Sequence, residues 1–113
     1  MKKYIAIENT NDVNALRVEL YYSLGGTNYF TGAAESRGYY LSVTPVYRSH
    51  GNGYTMESYT AFTGIKQLVK PVTRKSAKAE QAAVALAADI EKQLVNYVIA
   101  KNNIAAENVK RGE

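Results

Sequence analysis

Aromatic side chains recur beside cations along this chain. Tyr29 and Phe30 in TNYFTG precede Arg37, Tyr47 abuts Arg48, and Phe62 in AFTGIK precedes Lys66, while Lys110 and Arg111 form a basic pair near the end. A ring face next to a fixed positive charge suits a nucleotide, because the base stacks on a π surface or guanidinium plane and the phosphate pairs with the cation. With the polar neighbour Asn28 and with Asn96, the candidate ligand-binding set is Asn28, Tyr29, Phe30, Arg37, Arg48, Phe62, Lys66, Asn96, Lys110 and Arg111. Phe30 and Phe62 also suit a core, and the cations also suit a solvated surface. Only the combination points to a ligand.

Other chemistry finds little footing. The single histidine, His50, lies between turn residues in SHGNG, where it has no evident nucleophile to serve. Asp12, Asp89 and the eight glutamates form no close pair outside the helical region, which argues against an acid/base dyad. The absence of cysteine excludes disulfides and thiolate metal ligands, and there are no paired histidines or acidic loop to replace them. LGGTN lacks the spacing and lysine of a P-loop, and SHGNGY opens a strand where a dinucleotide loop would open a helix. The expectation is a binding protein, not an enzyme, with no metal and no cofactor.

The net charge of +4 is unevenly spread. Between residues 37 and 78, seven cations (Arg37, Arg48, Lys66, Lys70, Arg74, Lys75, Lys78) face only Glu57, and the stretch 66–78 holds five of them with no acid. Such a run fits an anionic partner, or simply a solvated face. Ten tyrosines with no tryptophan and two phenylalanines give a second bias, which suits binding surfaces and strands alike.

These residues must be positioned by one domain, since 113 residues suffice for a single core. An α+β fold is expected: an antiparallel β-sheet of four to five strands over residues 3–72, a long helix over 76–101, and a short helix or tail over 103–113. The first strand places Ile5 and Ile7 on one side. In ALRVELYYSL, Leu16, Val18, Leu20, Tyr22 and Leu24 face one way, with Arg17, Glu19, Tyr21 and Ser23 opposite. Gly25 and Gly26 end that strand, and residues 27–38 form a connection with a short strand at most. Tyr39, Leu41 and Val43 share a face of the next strand, which Pro45 assigns to an edge or a bulge because it cannot donate a ladder hydrogen bond. SHGNG turns the chain into a long, bent return arm, YTMESYTAF followed by IKQLVKPV.

From Ser76, a plausible N-cap with Glu80 in the first turn, the apolar period becomes helical through Ala79, Ala83, Leu86, Ile90, Leu94 and Tyr97. Val84, Ala87, Ala88, Val95 and Val98 widen that face until a polar stripe remains at Lys78, Gln81, Asp89, Lys92 and Asn96. The surplus apolar surface points to helix-mediated self-association, with a fully covered helix in a compact monomer as the alternative. The short apolar stretch at the amino terminus does not fit a secretion signal, and no apolar run is long enough for a membrane span, so a soluble cytoplasmic protein is expected.

The stretches YYSLGGTNYFTGAAESRGYYLSVTPVYR and YTMESYTAFTGIKQLVKPVTRKSAKAEQAA, together covering most of residues 21–83, resemble the phage-encoded anti-Thoeris "sponge" family of the first type. The resemblance implies an antiparallel sheet with long carboxy-terminal helices, assembly into dimers or larger oligomers, and sequestration of cyclic ADP-ribose isomers made by bacterial immune TIR enzymes. It further implies action in the cytoplasm of an infected bacterial cell, with some members similar to receptors for small cyclic oligonucleotides. Aromatic stacking and basic side chains near subunit interfaces are the implied means of capture. The chain departs from a site built on several late arginines, having only Arg74 and Arg111 after residue 70. The alternative is a small basic nucleic-acid-binding module built on the 66–78 cluster; a structural subunit is a third reading.

Overall fold

A computed structural model describes residues 1–10, 13–27, 29–60, 62–102 and 110–111, with the side chains of 1–7, 13–27, 29–60 and 62–102. The chain is α+β. In order it forms β1 (Lys2–Thr10), β2 (Val13–Ser23), β3 (Gly26–Thr27), β4 (Ala34–Glu35), β5 (Gly38–Gly51), β6 (Tyr54–Tyr59), β7 (Ile65–Pro71), the helix α1 (Ala77–Lys101) and β8 (Lys110–Arg111). Five long strands and the two-residue β8 make one antiparallel sheet in the order β6-β5-β2-β1-β8, with β7 also paired to β5; β3 and β4 form a separate small hairpin.

The alternation of β2 is realised as read: Leu16, Val18 and Leu20 are buried while Arg17, Glu19 and Tyr21 are only partly so. Ile5, Ile7, Leu41 and Val43 join the first set in a core that α1 closes with Ala83, Ala87, Leu94, Val95, Val98 and Ile99. Each fully buried aliphatic side chain contributes about 1.5–3 kcal/mol of transfer free energy, so this covered face supplies the main drive to fold. Leu24, expected on the same face, lies beyond the end of β2 and is exposed.

Pro45 is the main correction. It lies in β5, the strand flanked on both sides, and pairs with Leu16. On its other side β6 pairs from Val46 onward and β7 only up to Val43, so Pro45 falls in the gap between partners. Its carbonyl accepts a 3.5 Å hydrogen bond from the Thr60 hydroxyl there, and its missing N–H leaves no ladder bond unmade. Gly64 packs closely at this crossing, since a Cβ would lie 2.6 Å from the Val43 carbonyl oxygen. The return arm is therefore bent, as its sequence implies, and splits into two strands.

The helix begins as expected. The Ser76 hydroxyl accepts from the Ala79 N–H at 3.1 Å, Glu80 lies in the first turn, and the Tyr39 hydroxyl donates to the Ser76 carbonyl at 3.4 Å. At the other end Asn102 both donates to the Thr63 carbonyl and accepts from the Thr63 N–H, each at 2.8 Å. The buried face is rotated from the expected one: Ala83, Ala87, Leu94 and Val98 point inward, whereas Leu86 and Tyr97 are 42% and 48% exposed. Successive residues lie about 100° apart around a helix, so choosing Leu86 over Ala87 turns the face by one residue. Small Ala83 and Ala87 let the helix approach the sheet. The expected short helix over 103–113 lies mostly outside the described residues, and Lys110–Arg111 pairs as a strand with Ile5 and Ala6. No described helix is long and apolar enough to cross a membrane.

Candidate functional site

The helix covers one face of the sheet. Cross-strand register assembles the other into rows: Tyr21, Tyr40 and Leu68; Lys2, Glu19, Ser42 and Lys66; Tyr4, Arg17 and Thr44; Ala6, Ala15, Val46 and Tyr59; and Arg48 with Glu57. Directly opposed residues share a face, so these rows gather cations and tyrosines that are remote in sequence. The Tyr21 and Tyr40 rings stack with centroids 6.0 Å apart. Three described cations lie against rings on this face: Arg48 is 3.7 Å from the Tyr4 centroid, and Arg17 and Lys66 are each 5.4 Å from those of Tyr59 and Tyr40.

Two shallow recesses open on this face. The larger, of about 560 Å³, is lined by Arg17, Glu19, Tyr21, Ser42, Thr44, Gly64, Ile65 and Lys66. The second, of about 350 Å³, is lined by Tyr4, Ala6, Ile7, Asn14, Ala15, Arg48 and His50. Both therefore offer guanidinium or ammonium groups, hydroxyls and ring faces.

Polar contacts hold these groups in place. Glu57 accepts from the Tyr4 hydroxyl at 2.6 Å and from the Arg17 guanidinium, which also lies 3.7 Å from Glu19. Burial alone would raise the Glu57 pKa, but the hydrogen bonds from Tyr4 and Arg17 prevail and hold it below the ordinary value. The bond to Glu57, helped by burial, pushes the Tyr4 hydroxyl up. Lys66 pairs with Glu35 at 2.7 Å, which raises its pKa and keeps it charged, and burial raises that of Tyr21. The Arg48 backbone is fixed by Asn14, which donates to the Arg48 carbonyl at 2.7 Å and accepts from its N–H at 2.8 Å.

The candidates from the sequence scatter over this frame. Arg48 and Lys66 lie on the uncovered face. Tyr29 and Phe30, each 98% exposed, sit in the connection between β3 and β4, whose base is tied to that face by Glu35 and by a 2.7 Å bond from the Tyr40 hydroxyl to the Ser36 carbonyl. Arg37 spends its guanidinium on the Leu24 and Thr73 carbonyls, at 3.1 and 3.2 Å. Phe62 packs half-buried against the core, and Asn96 is exposed on the helix. Asn28 and the side chains of Lys110 and Arg111 lie outside the described residues.

Arg17, Tyr21, Tyr40, Tyr4 and Tyr59 are absent from the sequence-derived set. For Arg17 and Tyr21 the signal was present, since the β2 alternation assigns them to the side away from the core. His50 hydrogen-bonds Thr55 across the β5–β6 turn at 2.8 Å, and no three metal-ligating side chains converge among the described residues. Compared with known proteins, the chain matches no family model, no curated protein and no solved structure.

Proposed function

We propose that this chain is a stoichiometric sponge for small signalling nucleotides of the cyclic ADP-ribose type. It captures them on the uncovered sheet face without cleaving them and so blocks a TIR-based Thoeris defence in the cytoplasm of a phage-infected bacterium. One observation carries the reading: three cation–ring pairs and a stacked tyrosine pair share the face that the helix leaves open. Rings there give an adenine a stacking surface, while Arg17 and Lys66 beside Ser42 and Thr44 give the pyrophosphate and ribose their partners. The anti-Thoeris resemblance supplies the ligand class. Self-association belongs to the same proposal, with Leu86 and Tyr97 as the exposed apolar residues of the helix that would join two copies.

The test is capture and release. Protein incubated with cyclic ADP-ribose isomers and passed through a filter should retain at least one of them, then return it chemically unchanged after heat denaturation. Recovery of every isomer in the filtrate before heating would refute the reading, and a cleaved product would refute sequestration. If DNA or RNA is bound instead, with affinity falling steeply as salt rises, the nucleic-acid alternative takes its place.

A further inference from the structure

The Glu57 carboxylate occupies a seat with the chemistry of an anion site. Tyr4 and Arg17 donate to its two oxygens, from β1 and β2 in the middle of the sheet, whereas Glu57 itself comes from β6, an edge strand exposed along its whole length. Arg48 stands directly opposite Glu57 and stacks on the Tyr4 ring, yet no ion pair joins Arg48 to Glu57 among the described residues. The Arg48 Nε is buried without a hydrogen-bond partner, and the Arg17 Nε is buried with only the Glu19 carboxylate near it, at 3.7 Å and beyond hydrogen-bond length. A guanidinium carries five N–H donors, so the two together offer more than the Glu57 and Glu19 carboxylates and the Tyr59 hydroxyl engage. The seat also lies between the recesses: Arg17 lines the larger, and Tyr4 and Arg48 line the smaller.

We infer that Tyr4, Arg17 and Arg48 form a phosphate subsite of the uncovered face, and that Glu57 is its resident competitor, displaced when a phosphate-bearing ligand binds. A phosphate presents anionic oxygens in the geometry that a guanidinium fork matches, and it can engage both arginines where Glu57 engages one. Displacing Glu57 also removes the carboxylate lodged between the two recesses, so that one ligand can extend across both. The inference rests on the nucleotide-binding reading of this face.

A structural brace and a competitor make opposite demands on one substitution. Calorimetric titration with cyclic ADP-ribose should show Glu57→Gln binding about two- to threefold more tightly than the unaltered chain, the equivalent of one modest ion pair removed from competition. Glu57→Asp, whose shorter side chain withdraws from the seat, should also bind more tightly and serves if the Gln variant fails to fold. Binding by the unaltered chain with equal or weaker affinity in the folded variants overturns the subsite and leaves the sponge reading standing. Absence of heat from the unaltered chain and both variants overturns the two together.

Discussion

The two faces of one sheet are built from the same strands and differ in nearly everything else. Along β2, Leu16, Val18 and Leu20 are at most 5% exposed and pack under the helix, while Arg17, Glu19 and Tyr21 between them meet solvent, tyrosines and other charges. The covered face is mostly aliphatic and provides stability. On the uncovered face, cations and rings are held by hydrogen bonds between strands, which contribute little to folding and fix geometry. Stability and binding should therefore be separable by mutation, with side-chain parity along a strand deciding which one is lost.

The largest effect should come from the covered face. Leu16→Ala removes a fully buried side chain under the helix and should cost about 2–5 kcal/mol of unfolding free energy by denaturant titration. Arg17→Ala, the adjacent residue, should cost about 1 kcal/mol or less, because its ion pairs are partly solvated, yet should abolish nucleotide retention. Equal stability losses at these two positions would show that the two faces share the work of folding. Ser76→Ala deletes the helix cap and should cost about 1 kcal/mol, leaving ligand affinity unchanged.

A smaller effect is expected from pH. Folding holds the Glu57 pKa below 4.5, so its charged form contributes stability that is present above that value and lost as pH falls through the folded pKa. After allowance for solvent screening this is about 0.5 kcal/mol, seen as a thermal midpoint that falls less steeply below pH 4.5 in Glu57→Gln than in the unaltered chain. The smallest stability change belongs to Leu86→Ser with Tyr97→Ser on the exposed helix side. This pair should stay within about 0.5 kcal/mol of the parent while reducing the mass measured by light scattering after gel filtration, if the helix joins copies.

Much of the fold was legible because it depends on local pattern. The period of two in β2, the change to a helical period after Ser76 and the SHGNG turn each record a short-range constraint, and each is realised. Pro45 misled because the edge rule assumes one continuous partner, whereas β5 changes partner from β7 to β6 at that residue. The helix face slipped because steps of three and four residues are both helical, and only the sheet beneath decides between Leu86 and Ala87. The site was least legible. Sequence reading joins an aromatic residue to a cation nearby in the chain, but here Arg17 meets Glu57 40 residues away and Tyr4 meets it 53 residues away. Those meetings depend on register across four strands, β1, β2, β5 and β6, which no local pattern encodes.

The most direct test of the central claim is an amide chemical-shift titration with cyclic ADP-ribose, read residue by residue. The expected result is a set of perturbations centred on Arg17, Tyr21, Ser42, Thr44 and Lys66, with the outer side of the helix at Leu86 and Asn96 unmoved. Perturbations centred on that helix surface, or none at saturating ligand, would contradict it.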